Sequence, residues 1–232
     1  MTAALTVLSA GAIRRSVAKV AEIFERASGA SVATDFAPAP EVRSRVLAGE
    51  TVDVVIASAG ALDALARESK IVTETRALVG RTRMAVMMRK GASTPDLSGT
   101  AAFRRAMLDA DALVYNEGSS GAYAATIVDK LGLRDEMGSR IHVAQRGADM
   151  IELVASGTGR VLGLAQLTNV LDQVENGVPV VLAGLFPDEI QNVTSYEIAV
   201  SAGSRDPELA GAFVRAFATP EAKKMLAAAG LD

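Results

Sequence analysis

The chain has 232 residues, half of them hydrophobic, with 24 Lys and Arg against 27 Asp and Glu and a net charge of −3. That is enough apolar material for one large or two small domains, it argues against disorder, and it offers no concentrated basic face for nucleic acid. Cysteine is absent and His142 is the single histidine, so disulfides and thiol catalysis are excluded and neither a histidine-centred triad nor a metal site is expected; no apolar run reaches the ~20 residues of a membrane span, so no membrane insertion is expected either.

Leu5–Leu8 is a short apolar run that breaks into Ser9, Ala10, Gly11 and Ala12, and an amphipathic pattern begins at Ile13. This predicts a strand, a tight turn and a helix N-terminus. Such a turn aims free backbone N–H groups at one spot, with the positive helix end behind them and Arg14 and Arg15 alongside. An anion site and an ordinary βα turn both fit these residues. Ile13, Val17, Val20 and Phe24 repeat at helical spacing, and Gly29 stops the helix.

Val32–Phe36 reads as a second strand, Pro38-Ala39-Pro40 as a stiff loop, and Glu41–Ala48 as a helix ended by Gly49. Val52–Ala57 is a β-branched run of the kind buried on both faces of a parallel sheet. Ala57 and Ser58 then lead through Ala59-Gly60 into a helix ending at Ala66. The βαβαβα order predicts an α/β domain.

Arg83–Arg89 reads as a strand, with Met84, Met87 and Met88 as core, followed by a loop from Gly91 to Ser98. A second α/β run follows: helix Thr100–Leu108, strand Ala112–Tyr115, and a turn from Asn116 to Gly121 that carries Glu117, Ser119 and Ser120. Helix Ala122–Leu131 ends at Gly132. Strand Ile141–Val143 holds His142 as a packed residue. Helix Ala148–Ser156 and strands Val161–Ala165, Val178–Leu182 and Thr194–Ser201 come next. Helices Pro207–Phe217 and Pro220–Ala228 close the chain. Asp96, Arg104 and Arg105 read as surface. No GxxxxGK[ST] or GxGxxG follows a strand, so no nucleotide and no other cofactor is expected.

The expected fold is therefore α/β: two α/β lobes with mixed, mostly parallel sheets, joined by two crossing strands near Arg81–Met87 and Val193–Ile198. Lobe 1 is 1–82 with 196–232, and lobe 2 is 83–195. A ligand cleft between them would be lined by C-terminal strand ends.

The segments TVLSAGAIRRSV, DFAPAPEVRSRVLAGETVDVVIASA, SSGAYAATIVDKLGL, GRVLGLAQLTNV, and FPDE before TSYEIAV give the chain a resemblance along its whole length. It resembles the periplasmic molybdate-binding protein family, the type 2 solute-binding proteins of transporters. The resemblance implies the type 2 periplasmic-binding-protein fold, a small anionic ligand, and an ABC-type permease as partner if the protein is exported.

The family's hydroxyl donors are missing at three places. Ala12 stands where a serine is expected, Pro38-Ala39-Pro40 where a serine-rich turn is expected, and Gln166 where a tyrosine is expected. Molybdate is held by neutral hydroxyl and N–H donors, so these losses argue against it. The turns at Ser9–Ala12, Ala57-Ser58 and Ser119-Ser120 remain. Arg14, Arg15 and Arg146 lie on or beside cleft-facing turns, and arginine forks match carboxylates; Gln166 and Asn116 can read hydroxyl or carbonyl groups. The expected ligand is an organic di- or tricarboxylate.

Relatives of this family include an aconitate isomerase, and that resemblance implies an alternative: a cytoplasmic isomerase of an unsaturated polycarboxylate on the same scaffold. Its base would be Glu41, Glu117 or Tyr123. The opening MTAALTVLS has no basic or long apolar leader segment, so a cytoplasmic location is expected, or a periplasmic one if an export signal has been removed.

Overall fold

The computed structural model describes residues 4–232; Met1, Thr2 and Ala3, which enter the reading of localisation, lie outside the described residues. The first half of the chain runs β1 (Ala4–Ala10), a 3-10 turn (Gly11–Ile13), α1 (Arg14–Ser28), β2 (Ser31–Ala37), α2 (Ala39–Leu47), β3 (Val54–Ser58), α3 (Ala59–Arg67) and β4 (Ala77–Arg89). It continues with α4 (Thr100–Leu108), β5 (Ala112–Asn116), α5 (Ser119–Lys130) and α6 (Leu133–Met137). Then come β6 (Ile141–Ala144), α7 (Gly147–Ser156), β7 (Val161–Gln166), α8 (Leu167–Glu175) and β8 (Val180–Leu185). β9 (Val193–Val200), α9 (Pro207–Ala216) and α10 (Pro220–Ala228) end the chain. Two compact units divide it: one runs to Arg81 and resumes at Thr194, and the other is Thr82–Val193.

In the first unit, β2, β1 and β3 are parallel neighbours and β9 joins β3 antiparallel. The strand period of two separates the core into two layers. Leu5, Val7, Val54 and Ile56 face one side with Val17, Val20 and Phe24 of α1 and with Phe213 of α9. Leu8, Val55 and Ala57 face the other with Val42, Val46, Leu62 and Leu65. Phe24 meets Phe213 edge-on at 5.2 Å between ring centroids. Gly29 ends α1 as the sequence predicts, at φ 73°, with its N–H on Glu25 O.

In the second unit, β7, β5 and β6 are parallel, while β4 lies antiparallel to both β7 and β8. Met84, Val86 and Met88 pack on one side with Phe103, Leu162 and Leu164, and Ala85 and Met87 pack on the other with Val154 and Val161. The three methionines are core, as expected.

Several local readings are corrected. Pro38-Ala39-Pro40 is no loop: Pro38 is the N-cap of α2 and Pro40 lies in its first turn, where a missing N–H costs nothing. β4 begins six residues earlier than Arg83, because Arg81 N–H and O pair with Asp232 O and N–H and extend the ladder. α5 starts at Ser119 rather than Ala122, and α6 and α8 occupy stretches the sequence reading left unassigned. His142 is exposed on the edge strand β6, not packed. Arg104 does more than cover surface: it donates to Leu131 O at 2.8 Å and pairs with Glu136, tying α4 to α6.

Candidate functional site

Parallel strands end together, so each unit gathers its helix starts along one sheet edge. In the first unit the register Ser9↔Phe36 and Ser9↔Ile56 brings the ends of β1, β2 and β3 level. Ser9 and Ala10 are strand residues, buried and paired, and the Ser9 hydroxyl donates to Ala10 O at 3.3 Å. That corrects their placement in the turn. The turn proper is Gly11–Ile13, and the N–H groups of Gly11 and Ala12 precede any helical carbonyl they could reach. Ala57 is buried in β3, and Ser58 is the N-cap of α3 with no side-chain bond to its helix.

Neither α1 nor α3 has a side-chain cap, whereas Asp206 accepts from Leu209 N at 3.0 Å to cap α9 and Thr219 accepts from Ala222 N at 3.3 Å to cap α10. The first-unit edge therefore keeps unspent donors. α2 is a poorer contributor, since proline at its N-cap and in its first turn removes N–H groups.

The three candidate arginines differ in what already holds them. Arg146 is exposed and donates to both carboxylate oxygens of Asp149, at 2.8 and 3.1 Å. Arg15 is half-buried and already has a partner. Arg14 is exposed, with its Cζ 4.7 Å from the centroid of the Phe36 ring. Among the described residues no hydrogen bond or ion pair occupies the Arg14 N–H groups.

One charged group at this edge has no counterpart in the sequence reading. Arg76 pairs with Glu197 and with Asp63 at 2.7 Å, and donates to Ala59 O at 3.3 Å. These bonds, Glu197 foremost, hold the guanidinium firmly charged. Glu197 stands opposite Ala57 on β9, so this cluster braces the start of α3.

In the second unit, β5 ends at Asn116, whose Oδ1 accepts from Gly118 N at 3.1 Å. Ser119 and Ser120 form the first turn of α5, and no side chain caps it. The approach is tight: a Cβ on Gly121 would lie 1.5 Å from Asn116 O. Gly121→Ala must therefore shift backbone. We expect it to cost about 3 kcal/mol in urea denaturation, and an unchanged midpoint would show that the turn has slack.

Gln166, 4% exposed, ends β7 opposite Met84 and already has a partner. Two residues on, Thr168 is buried in the first turn of α8, and its hydroxyl has no partner among the described residues.

The three candidate bases stand in different surroundings. Glu41 is exposed in the first turn of α2, 4.0 Å from Arg45 Nη1. Glu117 is exposed between β5 and α5, its backbone N–H donating to Ala144 O at 3.0 Å. The Tyr123 hydroxyl donates to Ile190 O and Gln191 O, at 3.1 and 3.3 Å, and burial pushes its pKa up. A hydroxyl so placed is a poor proton acceptor. Among the described residues no group of three or more His, Cys, Asp or Glu could hold a metal ion, and no helix is long and apolar enough to cross a membrane.

The model of a family described as bacterial extracellular solute-binding protein matches residues 5–232. An aconitate isomerase from Pseudomonas sp is 30% identical over 235 residues, covering 98% of this chain and 87% of that protein. Among solved structures, the periplasmic molybdate-binding protein of Azotobacter vinelandii superposes with a TM-score of 0.76 at 17% identity, over 98% of both chains. The sulfate-binding protein of Mycobacterium tuberculosis does so with 0.77 at 16% identity, over 99% of this chain and 86% of that one. The two structural likenesses are at the level of fold.

Proposed function

The chain belongs to the bacterial extracellular solute-binding protein family, and from that premise we propose that its solute is an organic di- or tricarboxylate rather than molybdate. The observation that carries this reading is Arg14. Its guanidinium stands beside the Gly11–Ile13 turn with all five N–H donors uncommitted among the described residues. A planar fork of this kind pairs with a carboxylate in two parallel bonds, and the turn's N–H groups can take a second oxygen. The positions that would serve a tetrahedral oxyanion are poorer: Ala12 has no hydroxyl, and two prolines strip donors from the start of α2. The turn at Ser58, in the same unit, supplies further neutral donors. In a transport role the loaded protein would hand its solute to an ABC-type permease.

The test is a thermal-shift and calorimetry panel of molybdate, sulfate, phosphate, citrate and the two aconitates. A tricarboxylate at a hundred times its Kd should add about 2.7 kcal/mol of stability. A response to molybdate alone would overturn the reading.

A second reading is favoured by one observation, the 30% identity to an aconitate isomerase across nearly the whole chain. The same clamp would then hold an unsaturated tricarboxylate while a base removes a proton from the methylene carbon beside the double bond. The electron pair moves into the allylic system and the neighbouring carboxylate, Arg14 and the turn N–H groups stabilise that charge, and the proton returns at the other end. Glu117 is the candidate to replace first: Tyr123 has its proton committed to two carbonyls, and Glu41 faces Arg45.

Proton NMR in deuterated water should then show aconitate isomerising with deuterium incorporation. Glu117→Gln should slow turnover at least about a hundredfold while leaving binding within about threefold. Full activity in Glu117→Gln would remove it from the mechanism, and absence of turnover in the wild-type protein would leave binding as the function.

A further inference from the structure

We infer that Phe36 is a positioning residue for Arg14, and that its ring presets the guanidinium as a carboxylate fork; this rests on the polycarboxylate reading above. Three observations at the end of β2 support it. First, the Phe36 ring is anchored. It packs half-buried against the core layer of Leu5, Val7 and Phe24, and its residue pairs with Ser9 in the ladder. Second, Arg14 Cζ lies 4.7 Å from that ring's centroid. A guanidinium that meets the ring with its face keeps its edge for hydrogen bonds to a carboxylate, so the ring contact and ligand binding do not compete.

Third, the acid next to Phe36 is already satisfied. Asp35 Oδ2 takes Arg45 Nη2 at 2.5 Å, and Asp35 Oδ1 takes the Phe36 N–H at 2.8 Å. Arg45 is itself forked onto Glu50 by two bonds of 2.6 Å. This network keeps Asp35 from closing onto Arg14 and using up its donors. An arginine otherwise has many rotamers to lose on binding, and the ring reduces that loss.

The experiment is a calorimetric cycle with trans-aconitate on the wild-type protein, Phe36→Leu, Phe36→Tyr, Arg14→Ala and the Phe36→Leu/Arg14→Ala double variant. Phe36→Leu should weaken binding about three- to tenfold, combining the stacking and ordering terms. Phe36→Tyr, which keeps the aromatic face, should stay within about twofold of wild type. In the Arg14→Ala background Phe36→Leu should change nothing further. If Phe36→Leu does not fold, Phe36→Met takes its place with the same expectation. Unchanged affinity in Phe36→Leu, or an equal loss with and without Arg14, overturns the inference while leaving the ligand class standing. A wild-type protein that binds no polycarboxylate overturns the functional reading and this inference with it.

Discussion

Replacing Arg14 with alanine will weaken polycarboxylate binding by about thirty- to a hundredfold, while Arg15→Ala and Arg146→Ala will each change it by less than about threefold. The contrast follows from what each guanidinium does before ligand arrives. Arg146 is closed onto Asp149, and Arg15 already has a partner, so a ligand would have to displace existing bonds for little net gain. Arg14 offers an edge that nothing among the described residues fills. Charge-assisted bonds to a carboxylate contribute about 1.5–3 kcal/mol when made. Arg14→Lys should recover only part of the loss, because an ammonium keeps the charge without the two-pronged geometry. Calorimetric titration of the four variants decides the matter. Wild-type affinity in Arg14→Ala would take the fork out of the site and leave binding to the backbone turns.

The sequence points to this arginine only by neighbourhood. The break from Leu5–Leu8 into small residues locates the turn, and the helical period from Ile13 locates α1. Which of Arg14 and Arg15 is free depends on Phe36, 22 residues along the chain, and that contact follows from the parallel pairing of β1 with β2. Periodic, locally encoded elements are legible: α4 spans Thr100–Leu108 as predicted, and the buried run before Ser58 is a strand. Elements that depend on distant partners are not. The early part of β4, Ala77 to Thr82, lies outside the strand read from Arg83. It is a strand because Asp232 pairs with Arg81 and because the absent side chain of Gly80 makes room for Leu231.

The two prolines of Pro38-Ala39-Pro40 mislead for a different reason. Proline opposes helix interiors but suits helix starts, and the sequence alone does not say which place it holds. α8 is a plainer omission, since Leu167, Val170 and Val174 recur at helical spacing directly after a strand. Arg76 was illegible as part of the site edge, because Glu197 lies 121 residues away on β9. Glu41 follows the Pro38-Ala39-Pro40 stretch and Glu117 lies in the turn after β5, and sequence position alone does not tell that both side chains are exposed.

Asp53 carries the second large effect, this time on stability. Only 1% exposed, it stands just before β3 and collects bonds from two directions. Its carboxylate accepts from Thr6 N at 2.8 Å and Thr6 Oγ1 at 2.6 Å on β1, and from Ser204 Oγ at 3.0 Å and Arg205 N at 2.9 Å in the turn after β9. Burial alone would push its pKa up, but these donors outweigh it and hold the carboxyl below the ordinary value.

A folded-state pKa below the unfolded one stabilises the fold above the unfolded value, about 3.9, and that stability is lost as pH falls through the folded value. Asp53→Asn swaps an acceptor oxygen for an NH2 group that faces donors, so N–H and O–H groups on β1 or the later turn are left buried and unpaired. We expect a loss of about 3–5 kcal/mol in urea denaturation at pH 7. The gap between wild type and variant should narrow as pH drops below about 4, where the unfolded chain takes up the proton first, and the wild-type advantage disappears as pH falls through the lower folded value. Other acids titrate in both proteins and cancel in the difference. An equal gap at pH 7 and pH 3 would mean that Asp53 acts by shape rather than by charge. A negligible gap at pH 7 would mean that β1 and β3 hold their register without it.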